Sequence, residues 1–458
     1  MTPDISEKTL LTEAVVRKAR AVGFEDLPRE TLEAARQLVL DGIAVAAVGS
    51  RQTGPKLLAE HYAELGGKHE ATLIGFGGMA NVLQAAAVNG ASMHVLDYEP
   101  MWSPANHQLS TTLPAVLALA EQRGAGGRDV VLALIKGIEL QGMIRAASRQ
   151  YEPRMLKFHP PGMTGALGSA MASAHIMGLD EERTRHALGI AGSRAGGLLA
   201  NAGTMTKATH CGLATAHGAD AALLAERGFT ARTDIIEATL GYAESFCPEF
   251  DPALFDGYRP PFRVVEPGYA IKLYPAQYGT HFVITAARAL HPRIEDVAQV
   301  DSIAVTAPVM PYIDKPAPGS GLEGKFSLQY TTACGLLDGD VGVASFTDER
   351  RFAPDMEMLL PKIRLRMDDM IPAHFEGMNV VVEVSMGDGR TLTERCDGPP
   401  GPWGAEPVTR ERHLGKVNDC LAARFDRATA DEITHQAGRI DELDPAGVAL
   451  LMALLRRA

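Results

Sequence analysis

From residue 28 to about residue 240 one texture repeats. Apolar residues return at helical spacing, and glycine and alanine sit inside the stretches as well as at their ends. Residues 28–48 open with Pro28, suited to the first helical position, and then place Ala34, Ala35, Leu38, Val39 and Ile43 on one face. Further helices are expected at 53–65, stopped by Gly66-Gly67, and at 79–93, 112–123, 128–147 and 163–177. Asp180 caps another that runs to about Ala195, and 211–227 and 231–240 complete the set. Glycine numbers 46 in 458 residues, above the usual share of about 7%. Segments such as GALGSAMASAHIMG (165–178) place those glycines where helices must touch. Small residues at a crossing let two axes approach, so a compact bundle is expected rather than a long coiled coil.

The texture changes near residue 262. FRVV (262–265), VDSIAVTAP (300–308), KIRLRM (362–367) and MNVVVEVSM (378–386) read as strands. Gly387-Asp388-Gly389 then signals a hairpin into RTLTERC. Helical stretches at 278–290 and 327–337 lie between the strands, and PPGPWGAEP (399–407) closes the unit. Helices at 408–424, 429–438 and 444–456 return to the first texture. The fold expected is mainly α with an inserted α+β domain. Residues 1–266 form the first part of a helical domain, 267–403 a smaller α+β lid, and 404–458 rejoin the helices.

Charge and cysteine usage remove several classes of partner. Lys+Arg 44 against Asp+Glu 56 gives a net charge of −12, with no basic stripe for nucleic acid or anionic lipid. A small anionic substrate is still allowed, because a cationic pocket can sit inside an anionic protein. No apolar run approaches the roughly 20 residues of a membrane span, and the first residues lack the pattern of a secretory signal. Five cysteines, with no CxxC pair, indicate neither a disulfide framework nor a zinc knuckle. The expected location is the cytoplasm.

Five segments carry polar groups suited to chemistry. HVLDYEPMWSPANHQLSTTLP (94–114) is an irregular loop between Ala-rich helices, holding Asp97, Glu99, Asn106 and His107. It reads equally as a pocket wall or as an ordinary connection. KFHPPGMTGALGSA (157–170) sets His159 before a helix start, where free N–H groups favour anions, although a lone histidine is more often structural. NAGTMTKATHCGLATAHG (201–218) places Thr206, Lys207 and His210 just before a helix. This reads as a carboxylate clamp, since the spacing that zinc requires is missing. GYAIKLYPAQYGTHF (268–282) clusters Lys272, Tyr274, Gln277, Tyr278 and His281 at the texture seam, a favoured place for a pocket. GLEGKFSLQYTTACGLLDG (321–339) offers Lys325 and Tyr330. Gly319, Gly324 and Lys325 imitate a phosphate loop, but Phe326 stands where Ser or Thr is required. There is no dinucleotide fingerprint and no nucleophile elbow, so no cofactor is expected and no metal. The inventory suits proton transfer beside a carboxylate.

These segments, in this order, resemble the MmgE/PrpD family of lyases and isomerases over roughly residues 10–450. The resemblance rests on LDYEPMWSPANH, FHPPGMTGALGSA, GTMTKATHCG, IKLYP and KFSLQYTTACGLLDG. It implies a large helical domain with a smaller α+β lid, a homodimer and cofactor-free chemistry. The family includes 2-methylcitrate dehydratases, cis-aconitate decarboxylases and iminodisuccinate epimerases, and the motifs are most similar to the decarboxylase branch. On that likeness Asp97, His107, His159, Lys207, Lys272 and Tyr330 match active-site positions; Asp97, His107, His159, Lys207 and Tyr330 are expected to be catalytic, and Lys272, Met101 and Gln277, with Thr206 and His210 of the clamp, to bind substrate. Met101 replaces a threonine of that branch and Gln277 a histidine. The implied activity is a lyase acting on a small di- or tricarboxylate. An epimerase or racemase using the same proton abstraction is the alternative, and a catalytically inert binding protein is a third reading.

Overall fold

The computed structural model describes residues 10–152, 155–404 and 406–457. Nine long helices come first: α1 (Leu11–Ala21), α2 (Arg29–Gly49), α3 (Thr53–Leu65), α4 (Val82–His94), α5 (Leu113–Arg123), α6 (Gly127–Ala147), α7 (Pro160–Ile176), α8 (Glu181–Gly192) and α9 (Met205–Glu226). A short antiparallel pair, β1 (Ala71–Leu73) and β2 (Gly78–Ala80), lies between α3 and α4. Strands of three residues show no period, so the sequence carries no sign of this pair.

Helices α4 and α7 both pack against α9, and α6 packs against α7. Small residues make these contacts close. At the α4–α9 crossing Gly90 and Gly212 face one another, and a Cβ on Gly212 would overlap the Ala87 carbonyl oxygen. One apolar core runs through these helices and takes in Val417, Leu421, Ile433, Leu451 and Leu455 of the C-terminal helices Arg410–Ala422, Arg427–Ala437 and Pro445–Arg456. Asp41 of α2 ties this return down by accepting from Lys416 and facing His413, all three buried.

A second core lies between a four-stranded mixed sheet and helices Tyr278–Leu290 and Leu328–Asp338. The sheet has the order β4 (Ile363–Asp368), β3 (Val300–Pro308), β5 (Val380–Met386), β6 (Thr391–Cys396). β3 is parallel to β4 and antiparallel to β5. Alternation in β5 buries Val380, Val382, Val384 and Met386. The β5–β6 hairpin turns at Gly389, whose φ of 87° is a conformation glycine adopts without strain. The architecture is therefore mainly α with a small α+β part.

Two expected elements are absent among the described residues. FRVV is a turn, with the amides of Val265 and Glu266 both bonded to the Phe262 carbonyl. Prolines at 260, 261 and 267 deny this segment the donors a sheet needs. Residues 231–240 form turns instead of a helix. Glu237 there is drawn off to the first turn of α1, where it accepts from the Thr12 amide at 3.1 Å.

Candidate active site

Where the two cores meet, the backbones of Met101 and Ala270 exchange both hydrogen bonds, at 3.0 and 2.8 Å. The loop after α4 is thereby fixed to the segment carrying Lys272. A cavity of about 500 Å³ opens beside this junction. Its wall includes Asp97, Met101, His107, His159, Lys207 and Gln277, together with Asn106, Arg263, Tyr312 and Phe326.

Asp97 is the centre of the charge arrangement. It follows the last turn of α4 with φ of 50°, held by its own N–H on the His94 carbonyl at 2.8 Å. Aspartate tolerates this left-handed conformation better than most residues. Its carboxylate accepts from Lys207 Nζ at 2.6 Å through Oδ2 and from Lys272 Nζ through Oδ1. His107 Nε2 lies 3.6 Å from Oδ1. Burial alone would raise this carboxyl, but the two ammonium groups, with His107 and His94 behind them, hold it well below the usual range. Lys272 is fully buried and also donates to the carbonyls of Asp97 and Ala276. Burial lowers its pKa against the pull of Asp97 and Glu99.

Four imidazoles surround Lys207. His94 Nε2 accepts from Lys207 Nζ at 2.8 Å, and His94 Nδ1 meets Glu99 Oε1 at 2.5 Å. These contacts place the His94 proton on Nδ1. Burial pushes the His94 pKa down to about 4, so the ring is neutral near pH 7. Glu99 also accepts from Ser110 Oγ at 2.9 Å and faces His107 Nδ1 at 3.2 Å. Against its burial, His94 and His107 hold Glu99 well below the usual carboxylate range. His159 is the N-cap residue of α7, with Pro160 and Pro161 opening the helix. Its ring lies 5.2 Å from that of His94 and 6.4 Å from that of His107, centroid to centroid. Burial, then Lys207 and the neighbouring rings, push His159 well below its usual pKa. His210 Nδ1 lies 3.3 Å behind His159 Nδ1.

The sequence placed most of these groups together, with three differences. Helix α9 begins at Met205, so Lys207 and His210 lie in its first turns rather than before it. Packing against α4 and α7 extends the helix through Thr and His residues of modest propensity. Tyr330 does not reach the cavity: it is fully buried and its hydroxyl donates to the Ser345 carbonyl at 2.5 Å. Tyr312 lines the cavity instead and accepts from Gln277 Nε2 at 2.9 Å. Thr206 is exposed, and its carbonyl accepts from the Thr209 hydroxyl.

His94 and Lys325 were not assigned to the site from sequence. Lys325 is buried behind Asp97, 3.4 Å from the Leu96 carbonyl and 3.3 Å from that of Pro275, with its ammonium 4.9 Å over the Phe346 ring. Burial pushes it down to about 7 despite the attraction of Asp97. The only advance signal for His94 was its position three residues before Asp97.

Two trios, His94–His159–Cys211 and His94–Glu99–His107, bring metal-ligand atoms within 4.8 Å of one another. Both nitrogens of His94 are already engaged, one of them by the Lys207 ammonium. A metal ion in either trio would therefore have to displace one of these two contacts, to Lys207 or to Glu99. The arrangement is better suited to holding an anionic ligand against ammonium groups, with neutral imidazoles beside it to exchange protons.

The MmgE/PrpD N-terminal domain matches residues 13–254 and the MmgE/PrpD C-terminal domain residues 274–440. Among curated relatives, a cis-aconitate decarboxylase of Mus musculus is 31% identical, over 80% of this chain and 77% of the relative. One of Homo sapiens is 29% identical over 96% and 93%, and one of Aspergillus terreus 27% identical over 96% and 95%. No helix of the described residues is long and apolar enough to cross a membrane.

Proposed function

The chain belongs to the MmgE/PrpD family, and from that premise we propose that it is a cofactor-independent lyase that removes carbon dioxide from a small polycarboxylate of the cis-aconitate type. The observation that carries this reading is the buried carboxylate of Asp97 held between Lys207 and Lys272, with His107 and His159 beside it in the wall of one cavity.

Loss of carbon dioxide leaves an electron pair on carbon, which must be spread onto a neighbouring carboxylate and then take up a proton. Lys207 is the ammonium group placed to hold that charge from the cavity wall, while Lys272, fully buried behind it, sets the field through Asp97. Such groups act strongly in a site that excludes water. His159 is the best placed proton donor, and His107 its partner. His159 faces a site whose bound polyanion would favour its imidazolium form. Asp97 keeps the two lysines charged and in place. Met101 and Gln277 stand where the decarboxylase branch has threonine and histidine, so the protonating group here is His159 or His107 rather than a residue at position 277.

The same reading treats residues 267–403 as a lid over a helical domain built from 1–266 and 404–458. It also carries a homodimer in the cytoplasm, without nucleic-acid or membrane partners. An epimerase is the second reading, favoured by His107 and His159 with ring centroids 6.4 Å apart, close enough for one to remove a proton and the other to return it.

The test is a panel of cis-aconitate, 2-methylcitrate and related di- and tricarboxylates incubated with the purified protein, with carbon dioxide release measured for each. Release from at least one acid is expected. A shift in optical rotation or α-proton exchange without release would favour the epimerase. No reaction with any of them removes the lyase reading.

A further inference from the structure

Arg263 is a cavity-lining cation with no assigned role. Its guanidinium is half-buried, its Nε is enclosed without a hydrogen-bond partner, and no ion pair joins it to a carboxylate of the described residues. Glu139, the carboxylate that acts on its charge, is otherwise occupied. It accepts the backbone N–H of Arg263 at 2.8 Å and that of Tyr258 at 3.4 Å, and burial raises its carboxyl. Asp256, in the same outer segment, is taken by Lys18 and Arg259. Among the described residues, the other lysine or arginine of the cavity wall is Lys207, already paired with Asp97. Among the described residues of the wall, then, the lysine is engaged in a salt bridge and the arginine has no ion pair, although Glu152 and Glu376 also line the cavity.

An arginine left half-buried without a counterion is a costly arrangement unless a ligand supplies the anion. Its position is also built. The side chain lies flat against Gly142 of α6, where a Cβ would overlap Arg263 Nε and Cδ. A guanidinium offers a fork of donors that matches one carboxylate through two parallel hydrogen bonds.

We propose that Arg263 receives a carboxylate of the substrate distant from the reacting carbon, and so selects acids with a third carboxylate over dicarboxylates. This rests on the polycarboxylate reading of the site and adds to it which residue counts the carboxylates. Gly142 is the positioning residue that leaves room for it.

The experiment is calorimetric titration of the full chain with tricarballylate, a saturated tricarboxylate, and with glutarate, a dicarboxylate. The wild-type protein is expected to bind tricarballylate at least about tenfold more tightly than glutarate, as a charge-assisted bidentate contact allows. Arg263→Gln and Gly142→Ala should abolish that advantage and leave glutarate affinity within about twofold, with Arg263→Lys between. Gly142→Ala keeps the arginine and favours the helix, so it answers the question even if Arg263→Gln fails to fold. Tricarballylate binding at wild-type strength by either folded variant, or equal loss of both ligands, would overturn the proposal while leaving the polycarboxylate site in place. Wild-type protein that binds neither acid overturns both.

Discussion

Lys207 Nζ donates to Asp97 Oδ2 at 2.6 Å, joining the first turns of α9 to the loop after α4 across 110 residues of sequence. The bond exists because α4 and α9 cross at Gly90 and Gly212, which brings the end of one helix to the start of the other. Asp97 is also the acceptor for Lys272, which arrives from the segment leading into the second core. One carboxylate therefore holds three separate parts of the chain in register around the cavity.

Asp97→Asn leaves two lysines facing each other without their anion. Breaking a buried pair this way costs about 3–5 kcal/mol, and turnover should fall by at least about 10²-fold. Adding Lys272→Met should recover part of the stability and none of the turnover, as read by urea titration and steady-state rates. Because the folded pKa of Asp97 is depressed, its contribution is full above the ordinary aspartate value of 3.8 and is lost as pH falls through the folded value. Wild-type stability should therefore drop on acidification below about pH 4 more steeply than that of Asp97→Asn.

Lys325 gives a slope of the same sign in a higher pH window. Its folded pKa of about 7 lies below the ordinary 10.5, so between these values the unfolded chain binds the extra proton. Its contribution makes folding stability rise with pH across that window. Subtracting the Lys325→Met curve from the wild-type curve between pH 7 and 10 should leave a positive slope. A flat difference would show that Lys325 is not desolvated.

The α4–α9 crossing can be tested by a single carbon. A Cβ on Gly212 falls well inside contact distance of the Ala87 carbonyl oxygen. Gly212→Ala should cost about 1–3 kcal/mol as overpacking, despite its better helix propensity. Because the crossing sets Lys207 against His94, kcat should fall as well. Thermal melts and rates on the same preparation would separate the two effects.

Gln277 donates to the Tyr312 hydroxyl, and its own carbonyl oxygen is buried without a partner. Gln277→His would place a titratable ring there. The pH–rate profile should gain an ionisation below about pH 6.5, since burial disfavours the charged ring. An unchanged profile would show that position 277 does not face the reacting groups.

The helical texture and the change near residue 262 were legible because long amphipathic elements repeat their period many times. The loop at 94–114 stood out because polar and aromatic groups without a period interrupt Ala-rich helices. Residues 231–240 misled because Ile235, Ile236 and Leu240 imitate a helical stripe, while the Glu237 carboxylate is bound to the distant Thr12. The sequence names Lys325 without assigning it to the site and does not single out His94, because what makes them part of the site is burial against residues far away in sequence. Tyr330 and Tyr312 show the same limit. A sequence supplies the tyrosine but not the direction of its hydroxyl, and only Tyr312 points to the cavity.

The most direct test follows cis-aconitate by proton NMR in deuterated water, with wild-type protein and with His159→Ala. The account predicts loss of carbon dioxide and a product carrying deuterium at the newly protonated carbon. It also predicts a rate lowered by about 10²-fold or more in His159→Ala, as for a lost acid–base group. Unchanged cis-aconitate with wild-type protein, or turnover by His159→Ala at the wild-type rate, would contradict it.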